Sequence, residues 1–515
     1  MVNVSHASFN IKQVVVVVTK KRKTETKEYK YEDRPLTTIM SKAIYRKWKR
    51  YPFVLADLDT GAGKTYIGIN AVGQFDPHAV LFVVTLAKQR DMKHFERSVA
   101  AYNKAKHADI IPIVYNFESL YVRDKDAWGN AITQADLRPE IQKEIDDAKN
   151  TPIEGQTRKR NMYLIIDEVH RIKNPTAVSS KTITKKLMPQ AVRAVGLTAT
   201  PIGNHADDLM NYFILNGLIR NKTQFINRYA CNVNNYHQMI TAYKRDKNTG
   251  RKVINWEKTF NDPIVKKYYY DFTVSYDTVH LLPPAVRMSL PFCLTTEETE
   301  QYEETVMNQE MFDSNAEFRS ELNSQLGLSK NRWLTLKREV LENNKLPKSP
   351  KIIFYTYTAT KDFILPKLQK LGYQVFVVNG GMKKSERDAI SKLRDVNDPK
   401  TIVLSQYRAG GTGLDLPNFQ ISVMYEYTYS SIDFKQALGR NRRAYQQKKV
   451  YQVRLISYLH LHPKKVPTLE AQAYRNILDR SMEANSQLKD DLTKKTVELV
   501  KQIKAEETAQ KKAQG

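Results

Sequence analysis

The stretch LADLDTGAGKTYIGINAV, residues 55–72, constrains the fold of this 515-residue chain more than any other. An apolar run ends at a turn of small residues. The turn carries Thr60, Gly61, Ala62, Gly63, Lys64 and Thr65 immediately before an amphipathic pattern. That order predicts strand, loop and helix. A loop of this kind surrounds an anion with backbone N–H groups and a helix N-terminus, brings its lysine to the outer phosphates and offers its hydroxyl to Mg²⁺. Leu58 stands where the general G-x-x-x-x-G-K-[ST] pattern has its first glycine. The expectation is a site for nucleotide hydrolysis.

The rest of the chain supplies the sheet that such a loop needs. AVLFVVT (79–85), IIPIVYNF (110–117), MYLIIDE (162–168) and AVRAVGLTAT (191–200) are short apolar runs followed by polar loops, the spacing of buried parallel strands alternating with helices. A second set follows Pro350: KIIFYTYT (351–358), YQVFVVNG (373–380), KTIVLSQY (400–407), ISVMYEY (421–427) and VYQVRLIS (450–457). Two α/β domains are therefore expected, separated by a region of different character. That region holds Lys/Tyr-rich loops (235–271), an extended segment at 282–294 and a helical pattern at 295–312. Ahead of the phosphate loop, residues 10–33 suggest a basic hairpin and 37–51 a helix with a cationic face. The tail after about 470 is charged and helix-favouring.

Charge narrows the partners. The formal net charge is +27, an excess that favours a polyanion, of which nucleic-acid phosphate is the commonest. Val14–Val18 is too short an apolar run to span a bilayer or form a signal peptide, so an intracellular, cytoplasmic protein without membrane attachment is expected. Cys231 and Cys293 are the only cysteines, which leaves neither a thiolate zinc cluster nor a disulfide framework.

LIIDEVHRIKNP, residues 164–175, places Asp167 and Glu168 at the end of an all-apolar strand. In a parallel sheet the C-terminal strand ends face the ligand crevice, so both carboxylates are expected near Lys64. One suits a Mg²⁺ ion, shared with Thr65, and its neighbour the attacking water. On a helix, Gln436, Arg440 and Arg443 stand at i, i+4 and i+7 and face one side, from which two arginines could stabilise charge developing on a phosphate.

These segments also resemble a known family. DTGAGKT, LIIDEVHRIKNP and GLTATPIGN (196–204) are similar to motifs I, II and III of superfamily-two helicases, and the Arg-Ile-Lys-Asn-Pro continuation resembles the Swi/Snf-type ATPases. KIIFYTYTAT is similar to motif IV, VLSQYRAGGTGLDLP (403–417) to motif V, and QALGRNRRAYQQKKVYQVRLI (436–456) to motif VI. The resemblance covers about residues 35–457. It implies two RecA-like parallel-sheet domains with helical insertions between them, divided as a basic β extension (1–34), a first domain (35–220), protrusions and linker (221–345), a second domain (346–470) and a charged tail (471–515). It further implies ATP as the nucleotide. Catalysis would fall to Lys64, Asp167, Glu168, Gln436, Arg440 and Arg443, with Gly413 and Asp415 beside the nucleotide. Asp415 and Arg408 are also implied in interdomain coupling and nucleic-acid contact, and Gly410 and Gly411 in the turn between them. Thr85, Thr198 and Thr200 fall where the family meets nucleic acid or couples hydrolysis to closure, and His170 shares that coupling role.

FINRYACN (225–232) resembles an element of the annealing-helicase branch, and LLPP (281–284) a segment that precedes the second domain in the family. The chain departs from the pattern at three places. Thr37 stands in the region of the adenine-reading glutamine, FTVSYDTV (272–279) replaces a paired-arginine segment, and Arg442 replaces a common histidine. The resemblance implies a DNA-dependent ATPase that translocates on double-stranded DNA in replication, recombination or repair, as a compact bacterial or phage-type member. Strand separation on DNA or RNA, including single strands, is the alternative, and a non-catalytic nucleic-acid clamp the second.

Overall fold

The computed structural model describes residues 31, 34–59, 62–91, 93–125, 131–202, 206–245, 252–260, 264–276, 283–380, 390, 393, 396–407, 416–428, 431–442, 448–461 and 464–471. The expected hairpin at 10–33, except Tyr31, and the tail beyond 471 lie outside the described residues.

Before the phosphate loop, helix α1 spans Pro35–Trp48, with its proline at the first turn where no backbone N–H is needed. Strands β1 (Phe53–Leu58), β2 (Val80–Thr85) and β3 (Ile111–Asn116) follow, with helix α2 (Lys64–Phe75) between the first two. A hairpin of β4 (Tyr121–Lys125) and β5 (Ala131–Leu137) precedes β6 (Met162–Asp167) and β7 (Ala191–Thr198). A second small hairpin pairs β8 (Tyr243–Arg245) with β9 (Lys252–Ile254), and β10 (Thr273–Tyr276) comes next. The first sheet runs β10-β1-β7-β6-β2-β3, and every pairing in it is parallel.

Continuous apolar runs suit these strands because both faces of the sheet are covered. Alternate residues divide between two cores. Leu55, Phe82 and Leu164 enter one, and Val54, Leu81 and Ile165 the other. The second core receives Met40, Ile44 and Trp48 from α1 and Ile67 and Val72 from α2. Gly68 lets α2 seat closely, since a Cβ there would lie 2.9 Å from Ile165 Cδ1.

Residues read as intervening join this sheet. Strand β10, within the departing segment 272–279, pairs with β1 from Leu55↔Thr273 to Leu58↔Tyr276. The Lys/Tyr-rich stretch expected as loop instead forms helices at Trp256–Thr259 and Ile264–Phe272. Tyr269 and Phe272 of the second helix are buried in the first core, and that burial outweighs the loop-like composition.

The second sheet begins with β11 (Ala285–Cys293). It adds β12 (Lys351–Tyr355), β13 (Gln374–Val378), β14 (Thr401–Gln406), β15 (Ile421–Met424), β16 (Val450–Leu461) and β17 (Lys464–Pro467). Six of these strands are parallel in the order β11-β16-β15-β12-β14-β13, and β17 pairs antiparallel to β16. The extended segment 282–294 thus becomes a sheet strand, in register with β16 from Ala285↔Val450 to Cys293↔Tyr458. The helix expected over 295–312 starts at Thr296, where Thr295 and Glu298 form a reciprocal capping box, and ends at Met307. The architecture is α/β, with two parallel sheets of the RecA-like kind.

Candidate active site

Local structure delivers the phosphate loop to the C-terminal edge of β1. Gly63 takes a left-handed conformation, φ +81°, which a residue with a Cβ adopts only at a cost, and α2 starts at the next residue. No side chain caps the helix among the described residues, so the first-turn N–H groups point out of its N-terminus. Lys64 Nζ donates to the carbonyls of Leu58 and Asp59, each at 3.2 Å, and so lies over its own loop. Ala62 is half-buried beside it, and Thr60 and Gly61 lie outside the described residues.

Parallel register carries the acidic pair to the same edge. Val84 of β2 pairs with Ile166 of β6, so the next residues, Thr85 and Asp167, come side by side. Thr85 Oγ1 donates to Asp167 Oδ2 at 3.0 Å and also bonds Gln89 Oε1. Asp167 is buried, and burial followed by the neighbouring Glu168 pushes its carboxyl above the usual range, up to about 7. The Lys64 ammonium and the Thr85 hydroxyl pull it back. Glu168 itself sits at φ +51°, a strained position for a residue with a side chain.

A chain of contacts leads onward from Glu168. Its Oε2 is 3.4 Å from His170 Nδ1, and that nitrogen is hydrogen-bonded to Thr198 Oγ1 at 3.0 Å. Thr198 Oγ1 in turn accepts from the Thr200 backbone N–H at 3.0 Å. Burial lowers the His170 pKa, against the pull of the neighbouring Glu168 carboxylate. Thr85, Thr198 and Thr200 are all buried with their hydroxyls engaged inside this edge. Thr85 thus meets Asp167 across β2 and β6, while Thr198 and Thr200 meet His170, the neighbourhood in which the sequence reading placed a coupling of hydrolysis to closure.

Two further residues join the site without any sequence signal. Thr65 Oγ1 lies 3.3 Å from His94 Nε2, 29 residues away, and burial lowers the His94 pKa. Gln89 holds Thr85 from the short helix Ala87–Asp91 that follows β2.

Gln436 and Arg440 belong to the second sheet's body, and both are buried. Their helix spans Ser431–Leu438 and stops at Gly439, where Gly439 N–H bonds Gln436 O and Arg440 N–H bonds Ala437 O. Arg440 therefore leaves the helix in a tight turn and does not share a helical face with Gln436, as the i, i+4 spacing had suggested. Arg408, Gly410, Gly411, Gly413, Asp415 and Arg443 lie outside the described residues.

Comparison with known proteins agrees with this architecture. Residues 20–203 match the model of the type III restriction enzyme res subunit, 141–346 that of the SNF2-related domain and 332–445 that of the helicase conserved C-terminal domain. A protein of Acanthamoeba polyphaga mimivirus described as a putative ATP-dependent RNA helicase is 22% identical over 83% of this chain and 78% of its own length. An ISWI chromatin-remodeling complex ATPase of Arabidopsis thaliana is 23% identical over 66% of this chain, which spans only 33% of that protein. The ATP-dependent type ISP restriction-modification enzyme LlaBIII, solved bound to DNA, shares the fold with a TM-score of 0.52 and 12% identity over 89% of this chain and 30% of its own.

Two parallel sheets, a phosphate loop near buried Asp167 and half-buried Glu168, and the matched helicase domains together support a helicase-type ATP hydrolase dependent on nucleic acid. The chain is thus similar, segment by segment, to the Swi/Snf-type ATPases of helicase superfamily two, whose SNF2-related and helicase C-terminal domain models match it. Among the described residues no helix is long and apolar enough to cross a membrane.

Proposed function

We propose that the chain couples ATP hydrolysis to movement along double-stranded DNA, as a compact bacterial or phage-type translocase in replication, recombination or repair. The observation that carries this reading is the chain of contacts from Glu168 through His170 to Thr198 and Thr200, which ties the acidic pair to the loop after β7. The SNF2-related match and the +27 charge support a polyanionic track held without reading sequence.

In this reading the first-turn N–H groups of α2 and Lys64 hold the phosphates of ATP. Thr65 and Asp167 would hold Mg²⁺: both are hard oxygen donors, and the described residues contain no cluster of three or more His, Cys, Asp or Glu side chains. That scarcity fits an ion taking one or two protein oxygens plus phosphate. When bound, it would neutralise charge on the phosphate oxygens. Thr85 keeps one Asp167 oxygen engaged and thereby orients the carboxylate. Glu168 accepts a proton from the attacking water, and its contact with His170 links that event to Thr198. Gln436, Arg440 and Arg443 act from the second domain on the outer phosphate.

The test is ATP hydrolysis with duplex DNA, single-stranded DNA or RNA, run beside a labelled-fork unwinding assay. Duplex-stimulated hydrolysis without unwinding is expected. RNA-only stimulation would overturn the reading in favour of an RNA helicase, which the mimivirus relative's description over most of this chain makes the second candidate.

A further inference from the structure

The first sheet carries a polar cavity at the end away from its candidate active site. Strands β1 and β10 run parallel, and the residues just before them, Tyr51 and Asp271, open at their N-terminal ends. β1 is six residues long, which puts this end roughly 20 Å from the phosphate loop. The cavity has a volume of about 250 Å³, the room of about eight water molecules. Arg50, Tyr51, Lys267, Tyr268 and Asp271 line it.

Its walls are held in place by specific bonds. Lys47 of α1 reaches across to the end of the helix Ile264–Phe272, where its Nζ donates to the carbonyls of Tyr270 and Asp271, each at 2.8 Å. Cations are favoured there by the helix dipole, and this one fixes the spacing of the two walls. The Tyr51 hydroxyl donates to Asp271 Oδ2 at 3.1 Å. Burial, then that carboxylate, raises the phenol to about 12, so it remains a donor at working pH. The Arg50 guanidinium sits 6.0 Å from the Tyr51 ring centroid, an arrangement that orients its planar fork. Arg50 and Lys267 are exposed, and exposed Lys49 and half-buried Lys266 extend the positive surface.

Arg50 and Lys267 outnumber Asp271, the one carboxylate lining the cavity, so its walls carry an excess of positive charge. Their placement makes sense for an anion, and the two tyrosines make sense for a flat ring beside it. The space is larger than a lone phosphate needs. We propose that this cavity binds one nucleotide unit, with its phosphate on Arg50 and Lys267, its base against the Tyr268 ring and a base N–H donated to Asp271. The unit comes from a nucleic-acid strand or from a free nucleotide. The proposal rests on the chain's action on nucleic acid, and is independent of whether the track for translocation is duplex DNA.

The test uses the full chain and fluorescein-labelled oligothymidylate, with anisotropy read across a salt series and no ATP present. The double variant R50A/K267A should bind about tenfold more weakly at low salt and lower the salt slope by about 1. Y268A should weaken binding about fivefold or more at unchanged slope. Basal hydrolysis without nucleic acid should stay within twofold in both, because the cavity and the acidic pair occupy opposite ends of the sheet. Displacement of the oligonucleotide by micromolar AMP would identify a free nucleotide as the ligand, and indifference to AMP would identify the strand. Affinity and slope within twofold of wild type in both variants would overturn the proposal. Because no duplex enters this assay, that outcome leaves the translocase reading untouched, and a failure of duplex stimulation leaves the cavity standing.

Discussion

Thr85 donates a 3.0 Å hydrogen bond to Asp167 across 82 residues of sequence. It is the pivot of the candidate active site, because the same hydroxyl is held from the other side by Gln89. Replacing Thr85 with Val keeps the shape and removes the bond. The kcat for ATP hydrolysis should fall about 10- to 100-fold, the usual cost of losing an outer partner of a metal-binding carboxylate. KM for ATP and the melting temperature should change little. Steady-state kinetics with the calorimetric scan decides this, and an unchanged kcat would remove Thr85 from the mechanism.

Lys64→Ala should abolish hydrolysis, with kcat reduced at least about 10³-fold, since charge on the outer phosphates loses its nearest cation. Glu168→Gln should bind ATP with near-normal affinity yet hydrolyse it about 10²–10⁴ times more slowly, as expected when a general base is neutralised. Nucleotide binding by fluorescence and single-turnover hydrolysis separate the two effects. Wild-type turnover by Glu168→Gln would show that another group handles the water.

The His170–Thr198 bond predicts a different phenotype. Thr198→Val removes the 3.0 Å contact that ties Glu168's neighbour to the loop after β7. Basal hydrolysis should stay within about threefold, while stimulation by nucleic acid should fall by about tenfold, a coupling of about 1.4 kcal/mol. Measuring the rate with and without DNA gives the ratio directly. Equal losses in both rates would make Thr198 a structural residue only.

Glu426 predicts a pH dependence of stability. It is buried after β15, accepts from the Tyr357 backbone N–H at 3.1 Å and bonds the Thr360 hydroxyl. Burial raises its carboxyl from 4.5 to about 7, against the pull of those hydrogen bonds and Arg332. The folded chain therefore holds this proton more tightly than the unfolded chain does. The resulting stability is whole below about pH 4.5 and is lost as pH rises through about 7, amounting to on the order of 3 kcal/mol. Denaturant unfolding of wild type and Glu426→Gln at pH 5, 6, 7 and 8 checks it. The wild type should lose stability up this series and the variant should lose less. Parallel curves would assign the pH dependence elsewhere.

Much of the fold was legible because its signals are local. Each apolar run of the first sheet became a strand within a residue or two, since burial on both faces demands continuous apolar sequence. The stretch 235–271 misled because its lysines and tyrosines look solvated, whereas Tyr269 and Phe272 reach the core. The helical face drawn through Gln436 and Arg440 failed at Gly439, where a glycine ends the helix.

The sequence by itself determined the pieces whose chemistry lies among covalent neighbours: the phosphate loop before α2, the acidic pair at the end of β6, the order of the two sets of strands. Only the tertiary structure decided which distant side chains meet. The register of β2 on β6 turns Thr85 toward Asp167, and the same kind of register brings β10 beside β1 and opens the cavity at Tyr51 and Asp271. Register is a property of packed strands, set by the cores on both sheet faces, so no segment carries it alone.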